Sequence, residues 1–243
     1  MKRTLAALAL VISMAPATAL PQSSIISQIA GDKAASESLY FSLSVGLNVA
    51  YLNGSGVDGR AGGFNTGLSA TIRLTDRLSV SPGVTLFSRK GISNIPFITT
   101  GDEALDPYFA DPDRADLALG YVDIPVVVEY RLGRFSVGAG PFVGLLGSAT
   151  ERFRADLGTG EKLRFTRDVK AAYRSFDGGL VFEGAWTVTR PRRGMGLVVH
   201  FRYQAGLTNV RREYSGPLDA IVMPPGPVRN SVFQVFVSFP FVR

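Results

Sequence analysis

The sequence predicts an all-β chain: an eight-stranded antiparallel up-and-down transmembrane β-barrel with long extracellular loops. Three observations predict it. Eight segments alternate large apolar side chains with small or polar ones, the period of a strand with two different faces. The second face is mostly Gly, Ser, Thr and Asn, which suits the crowded inside of a narrow closed barrel, while the large apolar set suits lipid. The connections alternate strictly between short and long, as periplasmic turns and extracellular loops do.

The chain begins with Lys2 and Arg3, an apolar run over residues 5–14 and the small-x-small site Ala17-Thr18-Ala19. This reads as a secretory signal peptide, residues 1–19, cleaved after Ala19. The run is too short to cross a bilayer as a helix, which takes about 20 residues. Residues 20–37 follow as a periplasmic N-terminal segment, and 38–243 form the barrel domain. The destination expected is the cell outer membrane of a Gram-negative envelope. The chain has no Cys and one His, so thiolate metal sites, cysteine nucleophiles and most His-based metal centres are excluded.

The strands follow in order. The first sets Leu39, Phe41, Leu43, Val45, Leu47, Val49 and Tyr51 against Ser42, Ser44, Gly46 and Asn48. The second carries Phe64, Leu68 and Ile72, with Arg73 on its other face; the third carries Leu78, Val80, Val84 and Leu86. In the fourth, Val122, Ile124, Val126, Val128 and Tyr130 oppose Asp123 and Glu129. The fifth has Phe135, Val137, Val143 and Leu145 against glycines. The sixth has Phe176, Leu180, Phe182, Trp186 and Val188 against Asp177 and Glu183; the seventh has Met195, Val199, Phe201 and Tyr203 against His200, Arg202 and Gln204. The last has Phe233, Val235, Val237, Phe239 and Phe241. Each is long enough for a tilted crossing, about 9–11 residues. Short connections fall at 75–77, 133–134 and 189–194, and long ones at 52–63, 91–117, 149–173 and 209–229. Pro82, Pro125, Pro141 and Pro240 lie within strands, where each removes a ladder donor, and bulges are expected near Pro125 and Pro141.

Three strands carry a family resemblance. Tyr121-Val122-Asp123-Ile124-Pro125-Val126-Val127-Val128-Glu129-Tyr130 resembles the Tyr-Leu-Glu-Ile-Pro-Leu-Leu-Leu-Lys-Tyr strand of the PorT-like outer-membrane β-barrel family. Gly140-Pro141-Phe142-Val143-Gly144 is similar to its Gly-Pro-Tyr-x-Gly strand. Arg202-Tyr203-Gln204-Ala205-Gly206-Leu207-Thr208-Asn209 resembles its Arg-Tyr-x-x-Gly-Leu-Thr-Asn. The resemblance covers about residues 38–243. It implies an outer-membrane barrel, in a family of diverse roles, and allows assistance to export as one of them.

Parity points Arg73, Asp123, Glu129, Asp177, Glu183, His200 and Arg202 into the lumen. An eight-stranded barrel is filled by its own side chains. These residues are therefore expected to plug the interior as a charge network, with no catalytic residue, cofactor or bound metal. Pairing Val188 with Met195 across the turn would set Glu183 directly opposite His200. The loop at 91–117 holds six acids and only Arg114 as a base; the loop at 149–173 holds six bases and four acids, so the two are expected to draw together. Asp102, Glu103, Asp106, Asp111, Asp113 and Asp116 have the carboxylate character of a Ca²⁺ loop but lack its Gly and terminal Glu. The basic residues Arg152, Arg154, Lys162, Arg164, Arg167, Lys170 and Arg174 point to a polyanionic surface glycan or a neighbouring loop rather than nucleic acid, which an exported barrel rarely meets.

The function expected is structural, interactive or export-assisting, through the surface loops. The partners expected are outer-membrane lipid and a protein or glycan at the loops, with no nucleic acid, and the barrel itself a monomer. The alternative is a small-molecule-binding or weakly conducting barrel, and a third class is a lipid-modifying enzyme.

Overall fold

The computed structural model describes residues 38–95, 99–109, 115–156, 161–189, 194–212 and 226–242. The signal peptide, the segment to residue 37, Asp111, Asp113 and Arg114 lie outside the described residues.

The described strands are β1 (Leu39–Asn53), β2 (Ala61–Arg73), β3 (Leu78–Ile95), β4 (Ala115–Leu132), β5 (Phe135–Asp156), β6 (Lys162–Asp168), β7 (Phe176–Thr189), β8 (Gly194–Met195), β9 (Leu197–Gly206) and β10 (Arg229–Val242). Eight of them run β1-β2-β3-β4-β5-β7-β9-β10, and β10 pairs back onto β1, so the sheet is a closed antiparallel ring. Closure leaves no unpaired edge, which is the condition for a sheet to cross lipid. Outside the ring, β6 pairs with β5 and β8 with β10.

The alternation sorts side chains as expected. Leu43, Leu47, Phe64, Leu68, Val128, Val137, Phe182 and Phe201 are exposed on the outer wall, Leu47 at 67%. An apolar girdle of this extent is stable only against lipid tails. At the periplasmic rim Phe135 stacks on Trp186, ring centroids 6.3 Å apart. Gly133-Arg134 forms the two-residue β4–β5 turn, with Gly133 at φ +69°, a conformation that tight hairpins require.

Three expectations are corrected. The loops at 91–117 and 149–173 are not loops throughout: β3, β4 and β5 continue through them and β6 is added. The cause is a continued alternation, with Phe153 and Ala155 buried and Arg152 and Arg154 exposed. Second, no register shift lies at Pro125 or Pro141; Pro125 pairs with Phe142 and Pro141 with Leu180 in unbroken register. A missing N–H omits a ladder bond without inserting a residue. The shifts lie instead at Thr85/Ser88, Ser93/Ile95, Gly120/Tyr121 and Thr187/Thr189. Phe87 (φ 56°) and Asn94 (φ 61°) lie within the first two. Third, Glu183 pairs with Arg202 and His200 with Ala185. Met195 joins Phe241 of β10 rather than Val188, so the β7–β9 connection consumes more chain than the expected turn.

Candidate functional site

The interior is stacked in three layers. Toward the periplasmic end lies a small polar cavity of about 90 Å³, lined by Ser42, Ser81, Glu129, Glu183, His200 and Ser238 among others. Small hydroxyl side chains at inward positions leave room there for the long charged ones. Glu183 on β7 is the hub. Its Oε1 meets His200 Nδ1 at 2.7 Å, and Arg202 donates from Nε to Oε2 at 2.5 Å. His200 Nε2 meets Ser238 Oγ at 2.7 Å, and the imidazole stacks flat on Phe236 at 4.5 Å. Arg202 also lies over the Phe236 ring, at 4.7 Å.

Hydroxyl, imidazole and carboxylate thus line up as they do around a nucleophilic serine. The remaining parts of such a site are not assembled here. Ser238 sits within a strand, paired with Ser44 on one side and Val198 on the other, rather than at a turn or helix N-terminus where backbone N–H groups converge on an oxyanion. The second oxygen of Glu183 is engaged by Arg202. What the arrangement does chemically is engage both oxygens of Glu183 and both ring nitrogens of His200 within a nearly buried charged cluster.

The middle layer is centred on Lys90. Its Nζ donates to Asp123 Oδ1 and Asp177 Oδ2, both at 3.0 Å, and none of the three side chains has any exposed surface. The ammonium also faces the rings of Tyr121 (4.5 Å) and Phe142 (4.8 Å). Asp177 accepts further bonds from Asn230 (2.9 Å) and Thr208 (3.0 Å). Gly144 is placed where a Cβ would come within 2.6 Å of Asp123 Oδ1, so the absence of a side chain lets the carboxylates close on the lysine.

The outer layer is apolar. Leu52, Ile92, Ile95, Phe109, Leu117, Leu119, Phe153, Val169, Tyr173, Val210 and Val228 form one buried cluster above the lysine. It is built from the strand extensions and the segments joining them. Polar links tie it down. Arg167 pairs with the buried Glu151 and donates to the Thr99 carbonyl at 3.0 Å. Asp106 accepts from Thr99 Oγ1, from the Thr100 N–H and from Thr100 Oγ1 at 2.6–2.8 Å. These bonds hold its carboxyl below the usual range, the Thr100 hydroxyl contributing most. Burial pushes the carboxyl of Glu151 up, against the opposing pull of Arg167. The expected approach of the acidic and basic loops is present as the Asp116–Arg154 ion pair and the Arg167 contacts.

The seven residues read into the lumen from sequence thus fall into separate groups. Glu183, His200 and Arg202 share one hydrogen-bonded cluster. Asp123 and Asp177 belong to the lysine layer. Glu129 lines the lower cavity. Arg73 stands apart, with its guanidinium over Tyr40 at 5.4 Å. Lys90, the one cation between two acids, was missed. It shares even numbering with the lipid-facing Val84 and Leu86, and only the shift at Thr85/Ser88 turns it inward. Among the described residues no group of three or more His, Cys, Asp or Glu is placed to hold a metal ion. No helix among them is long and apolar enough to cross a membrane, which says nothing of the strands.

Residues 27–212 match the family model described as Outer membrane protein beta-barrel domain. No curated protein matches the chain. Among solved structures, Neisserial surface protein A is 16% identical, the match covering 83% of this chain and 96% of that one with a TM-score of 0.40. The attachment invasion locus protein of Yersinia pestis is 12% identical over 83% of this chain and 98% of its own, with a TM-score of 0.37.

Proposed function

The chain belongs to the outer membrane protein beta-barrel domain family, and from that premise we propose that it is a plugged, non-conducting barrel that acts at the cell surface through its extracellular strand extensions. The observation that carries this reading is the stacking of the interior. A lumen meant to conduct needs a continuous hydrated path. Here the Lys90–Asp123–Asp177 layer fills the bore with side chains of zero exposure, and an apolar cluster roofs it. Much of the chain is spent outside the lipid belt, in the upper parts of β3, β4 and β5 and in β6. Ordered strands with their own core present a surface; they do not line a pore. The reading is non-enzymatic, since the Ser238–His200–Glu183 line lacks an oxyanion site. An export-assisting role, in keeping with the PorT-like strand motifs, is one form that surface action takes.

Planar-bilayer recording of the purified, full barrel tests it. No steady unitary conductance is expected. Stable channels in the unaltered protein would overturn the reading and favour the conducting alternative.

A further inference from the structure

The β5–β6 hairpin is amphipathic across its two faces. Its inner face, Phe153, Ala155, Leu163 and Phe165, packs into the apolar roof. Its outer face carries Arg152, Arg154, Lys162 and Arg164, all exposed. The register sets Arg154 directly opposite Arg164. Like charges so placed repel and weaken the hairpin. Arg89, on β3 beyond the intervening β4, turns to the same side. Its Nε is buried with no hydrogen-bond partner, and the positive charges of Arg152 and Arg154 oppose its own. Asp116 enters the group paired with Arg154, and the register sets a second acid, Asp156, opposite Lys162. Among the described residues no ion pair reaches Arg89, Arg152, Lys162 or Arg164. Arg89, Arg154, Lys162 and Arg164, with Gly62, Ser93, Asn94 and Asp116, line an open groove of about 690 Å³.

A fold does not gain stability from clustered, unpaired arginines. The arrangement is explained if an anion completes it. Its place identifies the anion. On β3, Arg89 follows the lipid-exposed Leu86 and Phe87 almost directly; on β5, the cations come after Leu145, the last exposed large apolar side chain of that strand's lower part. Arg152 lies about 23 Å further along the tilted strand, at roughly 3.3 Å per residue. The groove therefore begins, at Arg89, near the outer edge of the lipid belt and rises from it along the outward faces of β5 and β6.

We propose that this groove binds the phosphorylated head group and anionic inner sugars of the outer-leaflet glycolipid, with Arg89, Lys162 and Arg164 as the phosphate ligands. The site depends on the surface-acting reading above, because that reading puts β5 and β6 outside the membrane. Arg is suited to the task through its planar fork of donors, and Lys162 adds a point charge at the rim.

The test uses the full barrel in phosphatidylcholine nanodiscs doped with bis-phosphorylated lipid A carrying its inner core, or with the same glycolipid after enzymatic removal of phosphate. Native mass spectrometry reads the bound glycolipid. The phosphorylated form is expected to be retained and the dephosphorylated form to be at least about tenfold weaker, as loss of charge-assisted bonds implies. The double variant Lys162→Gln, Arg164→Gln should lower retention similarly while keeping heat-modifiable migration, since both side chains are exposed and outside the core. Equal retention of the two glycolipids by the unaltered barrel would overturn the proposal without recourse to any variant. So would preferential capture of a soluble sulfated polysaccharide in a competition arm, which would assign the groove to a free glycan. Channel activity, the failure mode of the plugged reading, is recorded separately and is not expected to respond to these substitutions.

Discussion

Lys90 and Asp123 meet at 3.0 Å across the barrel interior with no exposed surface on either side chain, and Asp177 meets the same ammonium at the same distance. Two carboxylates around one lysine tie β3 to its neighbour β4 and, across the interior, to β7. Asp177 also accepts from Asn230 and Thr208, the ammonium faces the rings of Tyr121 and Phe142, and Asp123 Oδ2 is buried with no hydrogen-bond partner. Such a group tolerates no partial removal.

Lys90→Ala is therefore expected to lose about 3–5 kcal/mol, because two buried carboxylates are left without their cation. The heat-modifiability midpoint should fall accordingly. Asp123→Asn combined with Asp177→Asn on the Lys90→Met background should recover most of that loss. A Lys90→Ala barrel that melts with the unaltered one would contradict the assignment of the plug.

His200→Ala removes one link between Glu183 and Ser238. Leaving buried polar groups unmatched costs about 1–3 kcal/mol, so the unfolding midpoint should drop. Binding at the outer surface should be unchanged. Ester hydrolysis that is present in the unaltered barrel and absent in both His200→Ala and Ser238→Ala would show that this line is catalytic.

Asp106 gives a pH dependence with a definite sign. Its carboxyl is held below the ordinary 3.8 by the Thr100 and Thr99 donors. A depressed acid contributes stability that is fully present above the ordinary value and lost as pH falls through the lowered one. The protection factor of the Thr100 amide, its exchange rate relative to the unprotected rate at the same pH, should thus be high at neutral pH and fall only as the pH drops below 3.8. Asp106→Ala should lower that protection factor at all pH values. Protection that persists in that variant would count against the role of Asp106.

The ring of strands was legible because lipid imposes a simple rule: one face apolar, the other small or polar. The same rule placed Glu183, His200 and Arg202 inside the barrel. It could not place Lys90, since a single extra residue around Phe87 reverses parity and leaves no mark in the alternation. The β7–β9 register slipped because Gly194-Met195 pairs with β10, a choice made by the third strand rather than by the turn. The β5–β6 hairpin is different. Its signal was present in Arg152-Phe153-Arg154-Ala155 and Lys162-Leu163-Arg164-Phe165, where period two continues with charge instead of small polar residues on the second face. Outside the lipid belt the roles invert: the apolar side chains turn inward and the cations outward.

The central claim is that the bore is sealed above the lower cavity. The chain has no cysteine, so Ser81→Cys supplies a single reporter thiol in that cavity, below Lys90. The measurement is its rate of reaction with a small membrane-impermeant methanethiosulfonate in oriented proteoliposomes. Reaction is expected from the periplasmic side alone; labelling from the extracellular side at a comparable rate would mean that the barrel is open and the account wrong.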